Sequence, residues 1–170
     1  MPDIQEVLAR YAEWGEPHPR PGEQTALGHE IQPPATPEEI EQAWPDGVDE
    51  RAVELWLATR EAELFKDVEN GQWGLHLLPP AASVERTREW RENTPEDFYE
   101  GDLVIATFIG DQDFMVISPG EDDVAYQILV APEMYKRDDW YPVGPSLAEV
   151  LERYYEALGE KYWENEDQDD

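Results

Sequence analysis

The sequence predicts a mixed helix-and-strand domain organised on an antiparallel β-meander, and three observations carry this. Residues 101–132 read GDLVIATFIGDQDFMVISPGEDDVAYQILVAP, with apolar, β-branched-rich runs at 103–109, 114–117 and 124–130. The runs are separated by Gly110-Asp111-Gln112-Asp113 and by SPGEDD at 118–123, short segments of turn-forming residues. On both sides of this stretch, apolar residues recur at helical spacing instead.

Composition bounds what such a chain can be. Its 170 residues suffice for one domain with a real core. The apolar fraction is 40 %, with seven Trp, eight Tyr and four Phe, which separates it from a disordered acidic polymer. Forty-one acids face twelve Lys and Arg, a formal net charge of −29. That field repels phosphate backbones and anionic membranes and attracts basic proteins. Solubility alone explains the charge equally well. With no Cys, disulfides, thiol catalysis and cysteine-ligated zinc are excluded. The first residues, MPDIQEVLAR, lack the apolar core of a secretory signal, and no run reaches the length of a membrane span. The expected location is cytoplasmic.

Taken in order, Ile4, Val7, Leu8, Tyr11 and Trp14 form one face of a helix that Gly15 and Pro17 end. Residues 16–35, rich in Pro and Gly, read as an extended connection draped on the surface. Thr36-Pro37-Glu38-Glu39 is a capping box opening a short helix with Ile40 and Trp44. Asp49 caps a second, well-buried helix carrying Ala52, Val53, Leu55, Trp56 and Leu57. Glu63-Leu64-Phe65 is a short apolar punctuation, and Asn70-Gly71 a tight turn. Residues 73–78 form a strand stopped by Pro79-Pro80, and 82–92 a helix with Val84 and Trp90 on its apolar side. Its Arg86, Arg88 and Arg91 are expected to pair with Glu85, Glu89 and Glu92. After the meander, Trp140, Tyr141 and Val143 form a last edge element. Ser146 and Glu149 then cap a helix with Leu147, Val150, Leu151, Tyr154, Tyr155 and Leu158 inward, loosened or ended at Gly159. Tyr162 and Trp163 continue the packing, and residues 164–170 read as a disordered acidic tail.

Catalytic motifs are scarce. Asp111 and Asp113 begin like a calcium loop, but Met115 and Val116 stand where a ligand and the turn glycine belong. His18, His29 and His76 lack ligand spacing, and His76, inside a strand, reads as a structural histidine. Ser118 is not in a nucleophile elbow, Ser146 is better used as a cap, and no phosphate-binding Gly-rich loop is present. Paired carboxylates are too abundant to inform.

The order of elements resembles the SUKH superfamily, the domain of fungal cell-wall regulators and many bacterial immunity proteins. TPEEIEQAWPDGVDERAVELWLATREAELF is similar to its opening helices and Leu-Phe step, and WGLHLLPP with ASVERTREWR to its next strand and helix. GDLVIATFIGDQDFMVIS, DDVAYQILV and PSLAEVLERYYEAL resemble its central hairpin, third strand and final helix, although Leu147 stands where Phe is frequent. The likeness covers about residues 36–163 and divides the chain into 1–35, an N-terminal helix and connection; 36–163, the SUKH-like domain; and 164–170, the tail.

The resemblance implies an α+β domain, an antiparallel sheet of about four to six strands with helices packed mainly on one face, and no catalysis or cofactor. It also implies an immunity protein that binds and neutralises a basic, often nuclease-type, toxin domain. The expected contact residues are the turn acids Asp111, Asp113, Glu121, Asp122 and Asp123, with Trp140 or Tyr141 as an exposed aromatic. A regulatory or scaffold protein acting on an endogenous partner is the first alternative. A hydrolase using paired carboxylates or an acid-bound metal is the second.

Overall fold

The computed structural model describes residues 3–13, 18–19, 26–67, 74–110, 112–119, 127–132 and 135–166. It is an α+β fold on one antiparallel sheet whose eight strands lie side by side in chain order. The elements are α1 (Ile4–Ala12), β1 (His18–Pro19), β2 (Ala26–Ile31), α2 (Pro37–Ala43), α3 (Glu50–Ala58), β3 (Ala62–Asp67), β4 (Gly74–Leu77), α4 (Pro80–Asn93), β5 (Leu103–Ile109), β6 (Phe114–Ser118), β7 (Gln127–Ala131), β8 (Tyr141–Gly144), α5 (Leu147–Glu156) and α6 (Tyr162–Glu166). A single 3-10 turn, Arg137–Asp139, precedes β8.

Helix starts follow local chemistry. Asp3 accepts from the Gln5 amide, Thr36 from Glu39, Asp49 from Arg51 and Ser146 from Glu149, each satisfying an amide that the first helical turn leaves open.

The first two runs of the meander are β5 and β6, and the third, from residue 127, is β7; residues 124–126 lie outside the described residues. The near-continuous apolar character of these strands reflects burial on both faces: all five residues of β6 are buried. Alternation sorts them. Leu103, Ile105, Met115, Ile117, Ile128 and Val130 join the main core with α1, α3, α5 and α6. Val104, Phe114, Val116, Leu129 and Ala131 face the other way, into a smaller cluster with Leu78, Phe98, Trp140 and Trp90 of α4. Helices therefore lie on both faces, more of them on one, and the sheet has more strands than expected.

α4 docks by an unusual route. Its buried positions include Ser83 and Thr87 rather than large apolar residues. The β5–β6 register shifts between Val104 and Ala106, a bulge. There Ser83 Oγ donates to the Val104 carbonyl at 2.6 Å, and Thr87 Oγ1 accepts from the Val104 amide at 2.9 Å. The two hydroxyls satisfy main-chain groups that would otherwise be buried unpaired.

Two strands correct the sequence reading. Residues 26–31 are not a draped connection but β2, and the Leu64-Phe65 punctuation lies inside β3, its partner. β2 joins the sheet and Val7, Leu8 and Tyr11 of α1 join the main core, so residues before 36 share the packing of those after it. Trp14, Asn70-Gly71 and most of the 16–25 stretch lie outside the described residues. At the other end α6 runs to Glu166, into the segment expected to be a disordered tail; residues 167–170 are outside the description.

The β2–β3 register also shifts, between Gly28 and Glu30, and the intervening His29 accepts the Phe65 amide on Nδ1 at 2.8 Å. Its ring packs edge-on against Tyr11 and Phe65. Tyr11 in turn donates its hydroxyl to the Leu151 carbonyl at 2.6 Å, and burial raises the pKa of that phenol well above its ordinary value.

Burial lowers the His29 pKa from 6.5 to about 4. The unfolded chain therefore binds the extra proton first as pH falls. The stabilisation is complete above pH 6.5 and is lost as pH drops towards 4. Between pH 6.5 and 5 the wild type is expected to lose about 1–2 kcal/mol relative to His29→Gln, allowing for partial exposure of the ring. Urea unfolding of both proteins at the two pH values measures this, and parallel pH profiles would refute it.

Candidate partner-binding face

The smaller apolar cluster surfaces beside the 3-10 turn, and there the chain assembles its most distinctive polar and aromatic site. Trp90 stacks on Phe114 at a centroid distance of 4.5 Å, and Trp140 meets Phe114 edge-on at 5.8 Å and Phe98 at 5.7 Å. Trp90, Phe114 and Trp140, with Thr94, Asp97 and Tyr135, line a cavity of about 90 Å³ that opens to solvent. The Trp140 indole donates to the Tyr135 carbonyl at 3.1 Å, which fixes one wall.

Arg137 ties this wall to the segment before β5. Its amide donates to Asp97 Oδ1 at 3.1 Å. Nη1 donates to the Asp97 carbonyl at 3.0 Å and to Asp102 Oδ2, and Nη2 to Ser118 Oγ at 3.1 Å. The guanidinium also lies over the Tyr99 ring at 3.9 Å and 5.0 Å from the Trp140 ring centre. Both charged side chains are withdrawn from water, Arg137 at 10 % and Asp102 at 0 % exposure. Asp102 Oδ2 accepts the Tyr99 amide as well, and Arg91 caps the Asp102 carbonyl at 2.7 Å.

Around this knot the surface is acidic and aromatic. Glu96, Glu100, Asp138 and Asp139 are exposed. Tyr99 and Tyr135 are two of the most exposed large side chains among the described residues, at 44 % and 48 %. Exposed aromatics around a partly filled apolar slot, ringed by charge, have the anatomy of a protein contact site.

The expected contact residues are only partly brought together. Trp140 is not an exposed aromatic: it is 6 % exposed, because Phe98 and Phe114 enclose its ring and Tyr135 takes its indole proton. Tyr141 is half-buried in β8, its ring 6.4 Å from that of Tyr135. Asp113 is engaged elsewhere. Its Oδ2 accepts from Lys161 Nζ at 2.9 Å, and its side chain is only 12 % exposed, so it anchors the approach to α6. Asp111, Glu121, Asp122 and Asp123 lie outside the described residues.

Arg137, Asp97, Asp102, Tyr99 and Tyr135 were not singled out by sequence. One signal was present: EDFYEGD at 96–102 and KRDDW at 136–140 mix aromatics with two of the few cations in a strongly acidic chain. His76, by contrast, stands where expected, inside β4 with Nε2 2.6 Å from Glu61 Oε2. Arg86 and Arg88 pair with Glu89 and Glu85, as their spacing predicted. A second, apolar groove of about 380 Å³ runs between α1 and α3, with Leu8, Ile31 and the exposed Leu57 on its walls.

The fold and site define an α+β protein in which, among the described residues, no helix is long and apolar enough to cross a membrane. Nor do three or more His, Asp or Glu converge there to hold a metal ion. No protein-family model matches the chain, and no curated protein sequence matches it.

Proposed function

We propose that this chain is a non-catalytic acidic binding protein of the immunity type, which occupies and neutralises a basic toxin domain in the cytoplasm. The observation that carries this is where the cations go. Every described Lys and Arg lies against a carboxylate or a main-chain carbonyl, firmly where it is withdrawn from water, as Lys161 is on Asp113 and Arg137 on Asp102, and loosely at the surface, as Lys136 is on Glu96. The acid excess therefore faces outward without compensation, and it steers a basic protein while repelling nucleic acid. The ordered resemblance of residues 36–163 to the SUKH superfamily supports the same reading. The acidic, tyrosine-bearing face around Arg137 is the contact surface it favours, with the turn acids Asp111, Glu121, Asp122 and Asp123 adding to the field.

Co-expression with a toxin-like domain encoded beside this chain is expected to restore growth, and the two proteins are expected to co-elute at low salt. Unrelieved toxicity without co-elution would overturn the proposal. Reversing Glu96, Glu100, Asp138 and Asp139 to Lys is expected to slow association about tenfold at low ionic strength, with less effect at high salt. Stopped-flow rates unchanged by the reversal would move the contact elsewhere.

A further inference from the structure

We infer that the aromatic slot beside Arg137 receives a guanidinium side chain from the basic partner, an inference that rests on the proposed function and assigns its anchor point. Three observations on separate groups converge. The rings of Trp90, Phe114 and Trp140 line the slot, an aromatic surround suited to a planar cation. Asp97 lines the slot and is 6 % exposed. Its Oδ1 is taken by the Arg137 amide, while Oδ2 makes no hydrogen bond among the described residues and is not sealed from solvent. A slot-lining carboxylate with one oxygen unbonded and open to solvent is available to a charged donor. Finally, the chain's own Arg137 guanidinium lies 5.0 Å from the ring centre of the slot-lining Trp140 and donates to the Asp97 main-chain carbonyl, so a guanidinium already packs beside this wall.

A guanidinium suits the slot better than an ammonium, because it is flat, weakly hydrated and able both to stack and to donate in its plane. Glu96, 3.8 Å from the slot-lining Lys136, and the exposed Asp138 and Asp139, which stand between Arg137 and Trp140 in the chain, supply complementary charge. Lys136 itself is 72 % exposed, and its contact with Glu96 is a loose surface pair that can turn aside.

The test uses the full chain and two peptides, acetyl-Lys-Gly-Arg-Gly-Lys-amide and its analogue with citrulline at the centre. Both carry flanking lysines for the acidic face, but only the first has a guanidinium. The arginine peptide is expected to bind about tenfold tighter and to shift the Trp90 and Trp140 indole N–H resonances. Asp97→Asn, which keeps an acceptor for the Arg137 amide, is expected to abolish that preference while both peptides retain equal, salt-sensitive binding. Tyr135→Ala, at an exposed site, is expected to weaken the preference without changing the melting temperature. Equal affinities in the wild type, with unmoved indole resonances, overturn the slot and leave the acidic face standing. Binding of neither peptide at low salt overturns both.

Discussion

Arg137→Ala is expected to destabilise the protein by about 3–5 kcal/mol, a large share of the stability of an ordinary domain. The cost comes less from lost attraction than from what is left behind. Asp102 is fully buried, and its Oδ1 has no hydrogen-bond partner among the described residues. The Arg137 guanidinium is the cation against its other oxygen, with the Tyr99 amide as the remaining donor. Without Arg137 a buried carboxylate loses its counter-charge, and Ser118, buried as well, loses its donor. Urea unfolding of the single variants and of Arg137→Ala with Asp102→Ala measures this. The double variant is expected to lose at least about 1 kcal/mol less than the two singles together, because removing both charges removes the unpaired one. A single-variant loss under about 1 kcal/mol would show that the pair is solvated rather than buried. The stability result also bears on the proposed contact face, since Arg137 bonds Asp97 and lies against Trp140.

Gly159→Ala is expected to cost about 2–5 kcal/mol, the sum of a left-handed backbone penalty and overpacking. α5 ends in a Schellman turn: the Gly159 amide donates to the Tyr154 carbonyl and the Leu158 amide to Tyr155, both at 3.0 Å. The left-handed residue of that turn is Leu158 at φ 57, and Gly159 continues at φ 82. A Cβ on Gly159 would stand 2.7 Å from Cβ and Cγ of Phe65. Phe65 cannot retreat. It is fully buried, itself at φ 51, and packed between Tyr11, His29 and Tyr154. Gly47→Ala is the control, with φ 98 but nothing within 4 Å of the added carbon, so it is expected to cost only about 1 kcal/mol. Similar losses at the two positions would remove Phe65 from the explanation.

Local chemistry was enough to place most helices and the central strands. Thr36, Asp49 and Ser146 cap the helices they were expected to cap, because a cap needs only an amide two or three residues away. The β5–β7 runs read as strands because β-branched residues between Gly and Pro turns have few other uses. ALGHEI and AELFKD were not legible as β2 and β3. Neither has a clean alternation, and a bulge at His29 and a positive φ at Phe65 break what pattern there is. Their strand state comes from each other and from the β4 edge. Burial on both faces was legible only in part, since α4 docks through Ser83 and Thr87, which no hydrophobic count would select.

The candidate site divides the same way. Composition alone determined that the protein is acidic, aromatic and without cysteine, the charge on which the proposal of a basic partner rests. Which acids are available was decided by the tertiary structure. Arg137 meets Asp97 and Asp102 across separations of 40 and 35 residues, and Lys161 reaches back 48 residues to Asp113. Side-chain type fixes what a residue can bind, but only the packed chain fixes which partner arrives first. Trp140 was therefore expected outside and stands inside, and Tyr99 and Tyr135 hold the exposed positions in its place.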